Sequence, residues 1–154
     1  MGLVMSSIGF GGFVGEFVVP GLSDLLGRRT MAIAAFAVGA LLVKLFSMIG
    51  AEPMILFATL FCVGFCSMGL LALFTGPVAT EAVRPELIGA AIGVVSGIGE
   101  MFGGGLAPVI GGWIAGHHGI AHILDLALGG QLAGLVAALF LRESAPRLLA
   151  RKPA

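Results

Sequence analysis

Five long apolar stretches alternate with short polar or helix-breaking connectors along the chain. They run over 3–21, 31–50, 54–79, 87–116 and 120–141, separated by connectors at 23–30, 51–53, 80–86 and 117–119. A helix needs roughly 20 residues to cross bilayer hydrocarbon, and each stretch comes close to or exceeds that length. None alternates polar and apolar positions as the ~10-residue strands of a membrane barrel do. An open sheet would leave backbone N–H and C=O groups unpaired in lipid. The pattern therefore predicts an all-α integral membrane protein, with a five-helix transmembrane domain over 1–143 and a tail over 144–154. The fourth span is the longest, and Pro108 is expected to kink it.

Composition sharpens this picture. Of 154 residues, 58% are hydrophobic and 10% charged, against about 25% charged in soluble domains. Eight basic and eight acidic residues cancel, so no basic face forms and nucleic-acid binding is unsupported. Cys62 and Cys66 share a helical face inside an apolar run, where thiols behave as small apolar side chains. A metal there would need further ligands nearby, and the run supplies none. No cofactor is expected.

The basic residues set an orientation. Arg28, Arg29, Arg84, Arg142, Arg147, Arg151 and Lys152 fall in the first connector, the third connector or the tail, while the second and fourth connectors carry none. The positive-inside bias then predicts a multi-pass protein of the cell membrane with those three segments cytoplasmic. Five spans leave the start of the chain outside, an arrangement expected if it is the C-terminal part of something longer.

The first connector reads Pro20-Gly21-Leu22-Ser23-Asp24-Leu25-Leu26-Gly27-Arg28-Arg29. It resembles the loop signature of the major facilitator superfamily, G-x-L-[SA]-D-R-x-G-R-R, which joins the second and third helices of that family and recurs in degraded form between the eighth and ninth. Pro20 and Leu25 depart from the pattern, as the degraded copy does. The resemblance extends to Gly76-Pro77-Val78-Ala79-Thr80-Glu81 ahead of Arg84-Pro85, and to the glycine-rich run from Gly103 to Trp113. It implies helices eight to twelve of a twelve-helix transporter, with the remaining helices, and the whole N-terminal half, as the missing partner. In this loop Gly21, Ser23, Asp24, Gly27, Arg28 and Arg29 are the expected gating residues. Ser23 or Asp24 can cap a helix start, Gly27 permits a tight turn, and Asp24 with the arginines can lock helices together.

Ionisable groups inside spans are costly and mark candidate function. Glu100 lies mid-span, and on a helix Gly93, Gly97, Gly103 and Gly104 share its face. It can carry a proton or face a cationic group, or it can form a structural ion pair with Lys44. Lys44 can snorkel to the interface or hold a substrate carboxylate. Gln131 is deep enough in the fifth span to hydrogen-bond across helices. Glu100, Lys44 and Gln131 are thus the expected substrate and proton-coupling residues. Gly89, Gly93 and Gly97 repeat the small-xxx-small spacing of close helix packing, with Gly103 and Gly104 continuing it. Glu16 is expected to pair with Arg28 or Arg29 at the interface. His118 and His122 can share a face and bind zinc, or can simply be polar residues of a turn.

The resulting expectation is a proton-coupled secondary transporter of a small organic solute, embedded in lipid and not an enzyme. The alternative is a non-catalytic membrane scaffold. An intramembrane serine protease fits poorly, because Gly93-Val94-Val95-Ser96-Gly97 misses the G-x-S-G spacing by one residue.

Overall fold

The computed structural model describes residues 2–50 and 52–149. Ala51 in the second connector, and Arg151 and Lys152 in the tail, lie outside the described residues. The chain forms α1 (Gly2–Leu26), α2 (Arg28–Phe46), α3 (Pro53–Glu81), α4 (Pro85–His118), α5 (Ile120–Leu139) and a short α6 (Pro146–Leu149). Among the described residues there is no strand, and α1 to α5 are long and apolar enough to cross a membrane.

The first connector is a correction to the expected loop. It is helical on both sides of Gly27: α1 continues to Leu26 and α2 begins at Arg28. The Ser23 hydroxyl donates to the Pro20 carbonyl at 2.5 Å, so it back-bonds within α1 and caps no helix start. Backbone bonds run up to the break from both sides, Gly27 N–H to Ser23 O at 2.9 Å and Met31 N–H to Gly27 O at 3.0 Å. Only Gly27, at φ 101°, turns the chain. A side chain is strained at that angle, and a Cβ there would also collide with the Glu143 carboxylate.

The tightest packing joins α1 to α3. Gly11 and Gly15 of α1 and Gly64 of α3 let the two backbones touch: a Cβ at these positions would run into the carbonyl oxygens of Phe61, Phe65 and Ile8. Lipid is as apolar as leucine, so spans associate through close contact rather than by hiding from water. The buried cluster is accordingly built of Val19, Ala32, Ala35, Leu70, Leu73 and Ala138, four of its six members alanine or valine. On the other side of α2, Gly39 receives the Gln131 amide of α5, and Gly134 receives the Phe36 ring.

None of the most apolar stretch of α4, nor of α5, is buried within this chain. Two π-helical turns interrupt the spans, Phe74–Val78 in α3 and Glu100–Leu106 in α4. The first contains Pro77, and the second ends just before Pro108. A proline cannot donate to the carbonyl four residues back and crowds it; the widened turn absorbs both effects. Pro108, where a kink is expected, lies in the α-helical segment that follows the second of these turns.

Candidate functional site

Two places gather polar side chains. The first lies at one end of the bundle, where α1 meets α2, α3 ends and the segment after α5 returns. Arg28, only 4% exposed, is its centre. Its Nε donates to Glu81 Oε2 at 3.3 Å and its Nη2 to Glu81 Oε1 at 2.8 Å, a two-point grip. Nη2 also reaches Asp24 Oδ1 at 2.5 Å. Nη1 donates to the Ser23 hydroxyl and to the Pro20 carbonyl. Ser144 Oγ completes the shell by donating to Glu81 Oε2 at 2.6 Å.

Glu143 serves the same junction. Its Oε1 accepts from the backbone N–H of Arg28 at 2.8 Å and of Ala145 at 3.0 Å, and its Oε2 accepts from the N–H of Arg29 at 3.3 Å. It therefore caps α2 from more than a hundred residues away, satisfying N–H groups that no local side chain reaches. Partial burial pushes its carboxyl upward, but the N–H donors of Ala145, Arg28, Arg29 and Ser144 outweigh that and hold it below the usual carboxylate range. Arg29 donates to the Leu139 carbonyl at 2.8 Å, closing the end of α5.

Of the expected loop residues, Ser23, Asp24, Gly27 and Arg28 meet at this junction. The Arg29 side chain binds a carbonyl rather than a carboxylate, and a Cβ added at Gly21 would meet nothing within 4 Å. Glu16 is exposed and does not pair with either arginine, which corrects that expectation. Asp24 sits one turn before Arg28 across the Gly27 bend, and Glu81 arrives from α3, so both preempt it. Glu81, Glu143 and Ser144 were missed. A lone acid beside Arg142, directly after the last span, is the signal that could have flagged Glu143.

The second place is a cleft of about 930 Å³ between α3, α4 and α5, closed at one wall by Phe36 of α2. Both π-helical turns line it: Phe74 and Thr75 from one, Glu100, Gly103 and Gly104 from the other. Gln131 faces them from α5. The structure thus brings Glu100 and Gln131 into one cavity. Lys44 does not line it: it is exposed on α2 and pairs with no carboxylate among the described residues, so the Glu100–Lys44 ion pair is not formed. The reason is that α4 leans on α3 and α5 and leaves α2.

Gln131 Oε1 is buried and has no hydrogen-bond donor. A Cβ added at Gly89, Gly93, Gly97 or Gly103 would meet nothing within 4 Å, and one at Gly104 would meet only the Glu100 carboxylate. Among the described residues, the glycines at which a Cβ would strike another helix's backbone include Gly11, Gly15, Gly64 and Gly69, and the first two continue the four-residue register Ser7, Gly11, Gly15 of α1. At the opposite end of α4, His117 stacks on Trp113 with ring centroids 4.7 Å apart, while the His118 and His122 rings lie 6.1 Å apart. Among the described residues no three histidines, cysteines or acids gather as metal ligands.

Comparison with known proteins adds to this geometry. The family model described as Major Facilitator Superfamily matches residues 1–154. A curated relative, the MFS-type transporter pynF of Aspergillus niger, is 30% identical over 109 residues, which are 70% of this chain. The matched region spans a quarter of that relative's length, 25%. No solved structure matches.

Proposed function

The chain belongs to the Major Facilitator Superfamily, and on that premise we propose that it supplies helices eight to twelve of a proton-coupled secondary transporter for a small organic solute. It is a multi-pass membrane protein of transporter type; the substrate, the coupling ion and the partner half belong to the proposal. The observation that carries the reading is the junction at Arg28. The signature loop is folded into a charge cluster that ties α1, α3 and the C-terminal segment to the start of α2. Such a cluster is a lock: made of charge-assisted bonds, it holds the helix ends in one arrangement and opens when the helices part. Alternating access in transporters of this architecture is movement of one half against the other around a midplane site.

In this reading the cleft at Glu100 is the solute and proton site. Among the described residues Glu100 is the one charged side chain lining this cleft, and an ionisable group at mid-span is a candidate for proton coupling. Glu100 is therefore the proton carrier, and Gln131 is a solute contact. Lys44 is left as a residue of the lipid-facing surface. The junction and the tail face the cytoplasm of a cell membrane, following the basic residues.

The test is Glu100→Gln in a transporter assembled from this chain and an N-terminal half, reconstituted in liposomes. The amide keeps the shape and cannot titrate. Proton-driven accumulation is expected to vanish, and the chain alone is expected to show no saturable uptake. Unchanged uphill transport by Glu100→Gln would remove the proton-carrier role, and robust uptake by the chain alone would remove the need for a partner half.

A further inference from the structure

The chemistry of the cleft selects a charge type for its occupant. Among the described residues Glu100 is the one charged side chain that lines it, and no lysine, arginine or histidine does. Its polar remainder is Ser67, Ser96, Gln131 and Thr75, the last with its hydroxyl donating to the Leu71 carbonyl at 2.8 Å. Gln131 Oε1 is buried with no donor, a costly state for an amide carbonyl unless something arrives to donate to it. The Ser67 and Ser96 hydroxyls also line the wall. The apolar side carries two aromatic rings, Phe36 and Phe74, with centroids 6.1 Å apart and planes tilted by 41°.

A negative charge, an orphan acceptor and aromatic faces share one complement: a positive group that bears N–H donors and is attached to an apolar body. We propose that the cleft binds an organic ammonium ion, a protonated primary or secondary amine, with Glu100 as its counter-ion and Gln131 as an acceptor for one N–H. The Phe36 and Phe74 rings take the apolar body and offer their faces to the cation. An organic anion is disfavoured at the same place, since it would meet the Glu100 carboxylate with no cation in the wall to offset it. The proposal rests on the reading of the cleft as the solute site. It deepens that reading, because one carboxylate can hold a proton or an ammonium ion but not both.

The experiment is equilibrium binding to the purified full chain in dodecylmaltoside, read by fluorescence anisotropy. Two probes share one fluorophore: dansylcadaverine, a primary ammonium, and dansylglycine, a carboxylate. Saturable binding of dansylcadaverine is expected, at least tenfold tighter than that of dansylglycine. Glu100→Gln is expected to weaken the cationic probe at least tenfold, and Gln131→Leu several-fold. Glu100→Lys is expected to invert the preference, an outcome that misfolding cannot produce; helicity by circular dichroism confirms that each variant is folded. Equal binding of both probes, no saturable binding of either, or an unchanged affinity in Glu100→Gln would overturn the proposal. Binding needs neither a proton gradient nor turnover, so such a result would leave the transport reading to the uptake assay.

Discussion

Arg28 makes two ion pairs that look alike on paper and should differ several-fold in strength. Its side chain is 4% exposed; Glu81 is 19% exposed and Asp24 49%. The Asp24 pair is half in water and falls within the ~0.2–1 kcal/mol measured for exposed pairs. The Glu81 pair has two-point geometry at 2.8 and 3.3 Å and is largely desolvated. Deleting one member of a buried pair costs about 3–5 kcal/mol, mostly from the charge left behind. Glu81 retains the Ser144 hydroxyl and a fifth of its exposure, which places Arg28→Met near the lower end, about 3 kcal/mol. Double-mutant cycles separate the two partners. With Arg28→Met, Glu81→Gln and Asp24→Asn, the coupling is expected at about 2 kcal/mol for Arg28 with Glu81 and about 0.5 kcal/mol for Arg28 with Asp24. Unfolding in mixed dodecylmaltoside and dodecyl sulfate micelles, followed by far-ultraviolet circular dichroism, measures both. A Glu81 coupling equal to or smaller than that of Asp24 would refute the junction as a lock centred on the α3 carboxylate.

Gly15→Leu is expected to cost at least 1–3 kcal/mol in the same unfolding assay, because the side chain meets the Phe65 backbone rather than a yielding side chain. Gly97→Ala, facing open space, should leave the stability of the isolated chain within about 0.5 kcal/mol. Glu143 has a folded pKa below its unfolded value, so its contribution is fully present above the ordinary carboxylate range and is lost as pH falls through the depressed value. Proteolysis of the segment after α5 should therefore accelerate on acidification in the wild type and be insensitive to pH in Glu143→Gln; equal acceleration in both would exclude Glu143 as the cause. Single cysteines at positions 84 and 147 are expected to label from the inside of right-side-out vesicles, and those at 52 and 118 from the outside; the reverse would invert the topology.

What the amino-acid order determines by itself is governed by the solvent. Lipid offers no hydrogen bonds, so an apolar run of sufficient length must be a helix, and five such runs were legible without any tertiary information. Gly27 was legible as the turn, because an arginine pair after a glycine at a helix boundary leaves little else to break the chain. The acid at 100 was legible as a candidate because any charge at that depth is costly. The pairing of elements was not legible, because it depends on which smooth faces meet. Glycines crowd α4 more than α1, yet the backbones that touch belong to α1 and α3, where Gly11 and Gly15 lie opposite Phe61 and Phe65. Spacing marks a surface that can pack closely, and only a partner in register makes it do so. The partners of Arg28 show the same division. Asp24 is four residues away and readable as a local contact, whereas Glu81 and Glu143 arrive 53 and 115 residues later in the chain. They meet Arg28 because alternate helix ends return to one face of the bundle, and the tertiary structure alone decides which of the acids on that face closes on the arginine.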